Sequence, residues 1–329
     1  MDSINESMND ALINQPENSG DFRSGFVAIT GRPNAGKSTL INQLASMDLA
    51  ITSPKPQTTR TTIRAVINKP NGQIILVDTP GLLRPQDKLG KVMADAIART
   101  VDDADIVLLL VDAEAEQRRR GRSAPEMELL TRLKDKEKEI ILVLNKVDLI
   151  AKELLLPLIA RWSERYPFAA IIPVSARNGD GIQVLENELL TRLPVGPRYF
   201  PEDSITDQTE RSLAAELIRE QILRHTHQEI PHGTAVIINS FEEEYEEETV
   251  EPRRTFIHID ASILTEKDTH KGILIGKGGS MLKAIGTDAR LQIEKMVGCK
   301  VYLELHVKVR EDWQNRSGIL RDIGYLQDS

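Results

Sequence analysis

Residues 31–38 have the sequence GRPNAGKS, a segment that few folds can accommodate. The apolar residues 26–30 precede it, and a helical pattern begins at Lys37. Placed between a strand and a helix N-terminus, this spacing aims backbone N–H groups at an anion. Lys37 adds a positive charge for the outer phosphates, and the Ser38 hydroxyl is placed to bind Mg²⁺. The segment therefore predicts a phosphate-binding loop rather than an ordinary glycine-rich turn.

A second motif, DTPG, follows the apolar residues 74–77. An aspartate at the end of a buried strand, here Asp78, can hold Mg²⁺ through water. The backbone N–H of Gly81 can reach a γ-phosphate and move away when that group leaves. Taken alone, the four residues also fit a simple turn after a strand.

A third motif, NKVD, closes a later apolar strand and predicts which base is bound. The Asp148 carboxylate can accept hydrogen bonds from the ring N–H and the exocyclic amine of guanine. Adenine has neither donor at those places, so the motif favours GTP over ATP. The Lys146 stem can cover the base, and Asn145 can tie this loop to the phosphate loop. After the next strand, Ser175 and Ala176 would place a backbone N–H on the guanine oxygen.

The order and spacing of these motifs predict a guanine-nucleotide site that binds GTP or GDP with Mg²⁺. The predicted nucleotide-binding residues are Gly31, Arg32, Pro33, Asn34, Ala35, Gly36, Lys37, Ser38, Thr39, Asp78, Gly81, Asn145, Lys146, Asp148, Ser175 and Ala176. The predicted metal ligands are Ser38, Thr59 and Asp78, and the predicted catalytic residues are Lys37, Thr59 and Gly81.

Hydrolysis is predicted to be slow. Ras-like proteins have a glutamine after the DTPG-type glycine to orient the attacking water, whereas Leu82 and Leu83 follow here. We therefore expect unassisted turnover on the order of 10⁻⁴ s⁻¹. One threonine hydroxyl of residues 57–62 should reach Mg²⁺; the sequence does not say which, and we favour Thr59. Asn34 suggests the hypothesis that a bound K⁺ supplies the charge of an arginine finger.

Composition sets wider limits. A chain of 329 residues favours two domains, and a single cysteine, Cys299, excludes a disulfide framework. The net charge of −8 argues against nucleic acid as a partner, but the charge is unevenly placed. Residues 242–251 hold seven carboxylates, whereas residues 253–329 hold 13 Lys and Arg against 10 Asp and Glu. The arginine run at residues 118–122 fits a solvated loop better than a phosphate site.

Short apolar segments alternate with helical patterns from residue 26 to residue 193, which predicts a doubly wound α/β fold. The KPNG turn makes one strand pair antiparallel, so the six-stranded sheet is expected to be mixed but mostly parallel, with flanking helices. The predicted strands are 26–30, 63–68, 73–78, 105–111, 140–145 and 170–174. The predicted helices are 37–46, 90–101, 124–136, 151–165 and 181–193.

The remaining residues predict a smaller α+β domain. Its expected order is helix 210–225, strand 234–240, an acidic hairpin, strand 254–260, a short helix, helix 280–296 and strand 300–309. A G-x-x-G turn joins the two later helices, as in KH-type RNA-binding domains, where it lets single-stranded phosphates approach. The predicted RNA-binding residues are Ile275, Gly276, Lys277, Gly278, Gly279, Lys283 and Arg290.

The predicted elements divide the chain into four segments. They are a disordered polar leader at 1–24, a GTPase domain at 25–193, a Pro/Gly-rich linker at 194–206 and a KH-type domain at 207–329.

With both halves placed, residues 22 to 328 resemble the Era family of bacterial-type GTPases. The resemblance rests on GRPNAGKS, PQTTR, DTPG, NKVD, FPED, IGKGG and the closing LRDIGY. A P-loop GTPase domain followed by a KH domain is a specific combination. Ala35 in place of the usual valine, the leader and the acidic hairpin depart from the family. A tRNA-modifying GTPase is disfavoured, because neither a cofactor motif nor a catalytic cysteine outside a strand is found.

The resemblance implies a GTP-dependent factor in maturation of the small ribosomal subunit, the 30S subunit. Its KH domain would bind single-stranded ribosomal RNA near the 3′ end, and hydrolysis would reset the domain arrangement. The family is also described as peripherally membrane-associated, although no anchor is found in this sequence. We expect a cytoplasmic monomer with no DNA partner.

Two hypotheses remain open for the nucleotide. In one, GTP hydrolysis times release from RNA. In the other, GTP gates an RNA-binding scaffold, and turnover is incidental or supplied by a partner. Leu82 keeps the second hypothesis open, because an apolar side chain cannot orient water.

Overall fold

The computed structural model describes residues 22–47, 49–50, 63–79, 81, 87–118, 125–134, 138–227, 230–231, 233–246, 253–323 and 325–326. The predictions for Thr59, Leu82 and Leu83 fall outside these residues, as do those for 119–122 and for most of the leader. The described chain forms one sheet of six strands and one of three.

The larger sheet is mixed and mostly parallel, as predicted. Its strands are β1 (Arg23–Gly31), β2 (Ile63–Lys69), β3 (Gly72–Asp78), β4 (Ile106–Asp112), β5 (Glu139–Asn145) and β6 (Ala170–Val174). They lie in the order β2-β3-β1-β4-β5-β6. β2 and β3 pair antiparallel, and the other neighbouring pairs are parallel. Leu108, Leu109 and Leu110 are all fully buried, because helices cover both faces of the sheet.

The described residues of this half form the helices α1 (Lys37–Ala45), α2 (Lys88–Asp103), α3 (Ala113–Arg118), α4 (Pro125–Leu133), α5 (Leu155–Ser163) and α6 (Ile182–Arg192). Apolar side chains of α1 and α6 pack on one face of the sheet. Those of α2, α4 and α5 pack on the other face. The two layers place the phosphate loop and the other motif loops at the carboxyl ends of β1, β3, β5 and β6.

The smaller sheet consists of β7 (Thr234–Glu246), β8 (Arg253–Thr265) and β9 (Lys300–Val309). β7 and β8 pair antiparallel, whereas β8 and β9 pair parallel. Three helices, α7 (Glu210–His225), α8 (Asp268–Ile275) and α9 (Ser280–Val297), share one hydrophobic cluster with its inner face. A short helix, α10 (Ser317–Asp322), follows. The predicted fold class, a P-loop α/β unit followed by a smaller α+β unit, is confirmed.

The outer face of the smaller sheet is divided into two parts. At one end, Ala235 and Leu264 pack in a cluster with Leu89 and Met93 of α2 and with Trp313. The Trp313 indole N–H also donates a 3.0 Å hydrogen bond to the Gly233 carbonyl. The other end of this face is open to solvent. The residues of the interdomain cluster are Leu89, Met93, Ala235, Leu264, Trp313 and Leu320.

The predicted linker at 194–206 lies along the edge of the larger sheet. The amide of Val66 in β2 donates to the Ile205 carbonyl at 2.8 Å. The Gln73 side chain accepts from the amides of Tyr199 and Phe200 at 2.9 and 3.0 Å. This segment is therefore anchored to the first sheet by one backbone hydrogen bond and by two that the Gln73 side chain accepts.

Several element boundaries differ from the predictions. β1 begins at Arg23, inside the predicted leader, because Phe22 and the first strand residues are already buried. The helix predicted from residue 151 begins at Leu155, after a 3₁₀ turn. α3 and α10 were not predicted, since six residues carry too little periodicity to recognise. In the part of the chain that the structure describes, no helix is long and apolar enough to cross a membrane.

Candidate functional site

The phosphate loop joins β1 to α1 through two glycines whose backbone excludes other residues. Gly36 has a φ of +98°, and a Cβ there would lie 2.2 Å from Nδ2 of Asn145. A Cβ on Gly31 would lie 2.4 Å from the Leu110 carbonyl oxygen. Among the described residues, no side chain caps the N-terminus of α1, which faces the loop.

Lys37 curls back into this loop. Its ammonium donates to the carbonyls of Gly31 and Arg32, each at 3.2 Å, and the side chain is buried. Burial lowers the pKa of Lys37, while the nearby Asp78 carboxylate acts in the opposite direction. A bound anion would stabilise this buried ammonium, because it would supply the opposite charge within a loop of amide donors.

The DTPG segment touches the phosphate loop. Asp78 ends β3 beside Ile29 of β1, and it is fully buried. The Thr79 hydroxyl donates to the Ile29 carbonyl at 2.7 Å. A Cβ on Gly81 would meet backbone atoms of Pro33 at 3.1 Å, so Gly81 lies against the loop itself. A movement of Gly81 would therefore be transmitted directly to the phosphate loop.

Asn145 connects three of the predicted loops. Its Nδ2 donates to the Ala35 carbonyl at 2.8 Å, and its Oδ1 accepts from the Ala176 amide at 3.0 Å. The side chain is buried, so both hydrogen bonds are shielded from water. The hydrogen bond that the sequence predicts between the NKVD segment and the phosphate loop is present.

The rest of the NKVD segment is open on one side. Lys146 adopts a left-handed conformation with a φ of 64°, and its ammonium pairs with Asp112 at 2.6 Å. This pair fixes the direction of the lysine stem. Asp148 follows in a 3₁₀ turn and is exposed, so its carboxylate can reach a ligand at this edge. The structure brings the predicted nucleotide-binding residues to one edge of the sheet. Thr59, a predicted metal ligand and catalytic residue, lies outside the described residues.

The predicted RNA-binding turn separates α8 from α9. Gly276, Gly278 and Gly279 all have positive φ, at 73°, 61° and 81°. A Cβ on Gly276 would lie 2.7 Å from Met281, whereas no atom lies within 4 Å of the same point on Gly278 or Gly279. The first glycine is required by the turn, and the other two leave open backbone for a phosphate.

Two of the predicted basic residues are exposed at this turn. Lys277 and Lys283 make no side-chain ion pair or hydrogen bond among the described residues. Arg290, two turns along α9 from Lys283, instead pairs with Glu294 at 3.0 Å. Arg290 would therefore have to leave an intramolecular partner to reach RNA.

The two halves match two described families. Residues 26–146 match the family described as 50S ribosome-binding GTPase, and residues 229–314 match the KH domain family. GTPase Era of Ruminiclostridium cellulolyticum is 44% identical over 304 residues, covering 92% of this chain and 98% of that protein. GTPase Era of Syntrophus aciditrophicus is 46% identical over 306 residues, covering 92% and 95%. The chain belongs to the Era family. It is accordingly a GTPase, as the sequence predicts.

Solved Era structures share the whole architecture. A variant of Aquifex aeolicus Era bound to GDP·AlF₄⁻ superposes with a TM-score of 0.85 at 38% identity, covering 93% of this chain and all of that one. Era in complex with MgGDPNP and nucleotides 1506–1542 of 16S ribosomal RNA gives the same TM-score, identity and coverage.

A buried ion pair in this Era-family chain was missed by the sequence analysis. The Arg32 guanidinium donates to both carboxylate oxygens of Glu126 on α4, one at 2.8 Å. Glu126 is buried, and Glu116 on α3 is buried nearby with Arg165 at 3.7 Å. Burial and the Glu126 charge raise the pKa of Glu116. Arg32, predicted to contact nucleotide, thus holds the phosphate loop to α4.

Proposed function

We propose that this chain is a GTP-hydrolysing switch protein that binds single-stranded small-subunit ribosomal RNA and assists maturation of the 30S subunit. The supporting observation is its likeness over 93% of the chain to Era bound to nucleotides 1506–1542 of 16S ribosomal RNA. The open backbone at Gly278 and Gly279 fits the same role, because it admits phosphates that side chains would exclude.

GTP would bind across the edge formed by β1, β3, β5 and β6. Lys37 and the amides of the phosphate loop would hold the β- and γ-phosphates, and Asp148 would select guanine. The contacts of Asn145 at 2.8 and 3.0 Å would keep the phosphate and base loops in register before nucleotide binds. Pre-organisation of this kind lowers the entropy lost on binding.

A magnesium ion fits the residues at this edge. Asp78 supplies a buried carboxylate near Lys37, and Ser38 supplies a hydroxyl on the first turn of α1. Ser38, Asp78 and Thr59 would hold Mg²⁺, which would neutralise charge on the phosphates. K⁺ bound near Asn34 stays a proposal, and equal turnover in K⁺ and Na⁺ buffers would rule it out.

A series of contacts would couple the nucleotide site to the RNA-binding unit. α2 begins at Lys88, only seven residues after Gly81. The Lys88 amide donates to Asn315 at 3.0 Å, and its ammonium donates to Ser317 at 2.5 Å. Leu89 is buried in the interdomain cluster with Trp313. A shift of Gly81 with the γ-phosphate would therefore displace α2 against the C-terminal segment, and GTP would favour the RNA-binding domain arrangement.

The second candidate is a GTP-gated scaffold whose hydrolysis is incidental or supplied by a partner. It is favoured by Leu82, which replaces the water-orienting glutamine. Single-turnover hydrolysis with and without RNA separates the candidates. Acceleration by RNA supports the timed switch, and an unchanged slow rate supports the scaffold.

We further propose a first domain that starts at Arg23, where β1 begins, rather than at residue 25, and ends at 193, and a second domain at 207–329. We also propose a cytoplasmic monomer without a DNA partner. Peripheral membrane contact is part of the same proposal.

The proposed function is tested by anisotropy of a labelled oligoribonucleotide with the 3′-end sequence of small-subunit ribosomal RNA. We expect tighter binding with GDPNP than with GDP. Gly278→Asp should weaken RNA binding about tenfold or more, because it places a carboxylate where a phosphate would lie. Gly298→Asp is the matched control, since Gly298 also has positive φ, at 75°, and open space at its Cβ. Equal RNA affinity in every nucleotide state would overturn the coupling.

A further inference from the structure

The open half of the smaller sheet's outer face is not used by either ligand proposed above. Ile257 and Ile259 of β8 point into the core beneath α7 and α9. Alternation along the strands therefore turns their neighbours Phe256 and His258 to the opposite face. Beyond the interdomain cluster, this face is exposed. We refer to it as the acidic-aromatic face, formed by Glu242, Glu244, Phe256, His258, Tyr302 and Glu304.

Its centre is a row of rings. Phe256 and His258 have ring centroids 4.8 Å apart, and His258 and Tyr302 have centroids 5.8 Å apart. Tyr302 is 55% exposed, which is high for a tyrosine within a sheet. The rings thus form a platform from β8 to β9 that presents aromatic surface to solvent.

Carboxylates border the platform on both sides. Glu242 lies opposite His258 in the strand register, and Glu244 lies opposite Phe256. On the far side, Glu304 lies two residues after Tyr302 on β9; its side chain is 53% exposed and lies 3.5 Å from His306. The Glu244 carboxylate is 3.0 Å from the His258 ring nitrogen and is 60% exposed. The platform therefore lies in a field of negative charge.

Two basic side chains at the face or its edge have acidic partners. Lys300 lies opposite Phe256 in the strand register, and so on this face; it is 75% exposed and lies 3.6 Å from Glu294 on α9. Arg254 on β8 pairs with Glu210 and Glu243 at 2.5 and 2.6 Å. The excess of exposed carboxylates is thus left to attract a charge from outside the chain.

We propose that the acidic-aromatic face binds an arginine- and lysine-rich segment of a partner protein. Guanidinium groups stack on exposed aromatic rings and pair with carboxylates beside them. Single-stranded RNA also stacks on aromatic platforms, but bordering carboxylates repel its phosphates. A second copy of this chain would bring the same carboxylates face to face. A basic polypeptide is the occupant that satisfies both the rings and the charges.

The position of the face leaves the RNA-binding turn free. The Gly276–Gly279 turn joins α8 and α9, which pack on the inner side of the sheet. A basic protein segment on the outer side could bind at the same time as RNA. The inference is independent of the proposed nucleotide and RNA roles, because it rests on other residues.

The test uses a fluorescein-labelled peptide of alternating Arg and Ser and the purified full chain. Anisotropy should show saturable binding that weakens with salt, and the matched Glu–Ser peptide should not bind. Tyr302→Ala should weaken binding about threefold through loss of the cation–π contact, and Tyr302→Phe should restore it. Glu242→Gln with Glu304→Gln should weaken binding by a similar factor of about three.

Glu164→Gln with Glu202→Gln is the matched control, because it removes the same charge from exposed positions elsewhere. This control should bind like the wild type, and thermal unfolding should show all variants folded. No saturable binding, or equal affinity of wild type and face variants, would overturn the proposal. It would also be overturned if Tyr302→Ala abolished binding of an oligoribonucleotide or self-association of the chain instead.

Discussion

Asn145 donates a 2.8 Å hydrogen bond to the Ala35 carbonyl, joining the NKVD segment to the phosphate loop 110 residues earlier. The same side chain accepts from the Ala176 amide. One buried amide thus satisfies polar groups on two other loops and holds the edge of the sheet in one arrangement. Both hydrogen bonds lie within the protein, so Asn145 supports the geometry of the site through its own contacts.

Asn145→Ala should lower both stability and nucleotide affinity. It leaves the Ala35 carbonyl and the Ala176 amide without this partner, at a cost of about 1–3 kcal/mol in the free energy of unfolding. Urea unfolding and binding of a fluorescent GDP analogue measure the two effects. Asn187→Ala, at an exposed position on α6, should change stability by less than about 0.5 kcal/mol. Equal behaviour of the two variants would contradict the bridging role.

Asp148→Asn should change base preference without changing stability. Asp148 is exposed, so its exchange for an amide leaves the core untouched. GTP affinity should fall about a hundredfold or more, because the carboxylate that accepts from guanine is lost. Xanthosine triphosphate, with a carbonyl in place of the amine, should bind better than GTP. Competition binding measures the switch.

Asp112→Asn is the control for this switch. It loosens the 2.6 Å pair with Lys146 but leaves the predicted base-reading carboxylate in place. It should therefore weaken binding without gaining xanthine preference. A similar change in base preference in both variants would place selection elsewhere.

The strands of the larger sheet and the nucleotide loops could be predicted because their signals are local. The predicted strands 234–240 and 254–260 were too short, because β7 continues to Glu246 and β8 to Thr265. β4 and β5 are uninterrupted apolar runs, and each motif follows such a run directly. α7 was predicted with the bounds Glu210–His225 that the structure shows, since its cap and polar surroundings are clear in the sequence. The KPNG turn predicted that β2 and β3 pair antiparallel, which the structure confirms.

Contacts between distant residues could not be predicted. Arg32 and Glu126 are 94 residues apart. Arg32 was predicted to contact nucleotide, and nothing in the sequence distinguishes Glu126 from an ordinary surface charge. The apolar face of α2 is visible in the sequence, but periodicity does not show that Leu89 packs against Trp313 of the other unit. Such pairings depend on how complete elements are arranged, which a single sequence does not reveal.

Leu89→Ala should uncouple nucleotide state from RNA binding. Leu89 is 4% exposed in the interdomain cluster, so its truncation should cost about 2 kcal/mol or more of the free energy of unfolding. The ratio of RNA affinities with GDPNP and GDP should move toward one. Ile97→Ala lies on the same helix but in the core of the first unit. It should lower the free energy of unfolding by a similar amount and leave the ratio of RNA affinities unchanged. Loss of the ratio in both variants would show general destabilisation instead.

Glu116→Gln should stabilise the protein more at neutral pH than in acid. Burial and the Glu126 charge raise the pKa of Glu116 in the folded state. The stability from this group is therefore present below its unfolded pKa and is lost as the pH rises through the folded pKa. A glutamine does not titrate. The free energy of unfolding of the variant should therefore rise relative to that of the wild type as the pH rises from the unfolded-state pKa of Glu116 through its folded-state pKa. Urea midpoints against pH measure the gain, and the exposed Glu164→Gln should track the wild type throughout. The opposite outcome is a variant that is more stable than the wild type in acid and loses this advantage toward neutral pH. It would mean that Arg32 and Arg165 stabilise the Glu116 carboxylate more than burial destabilises it.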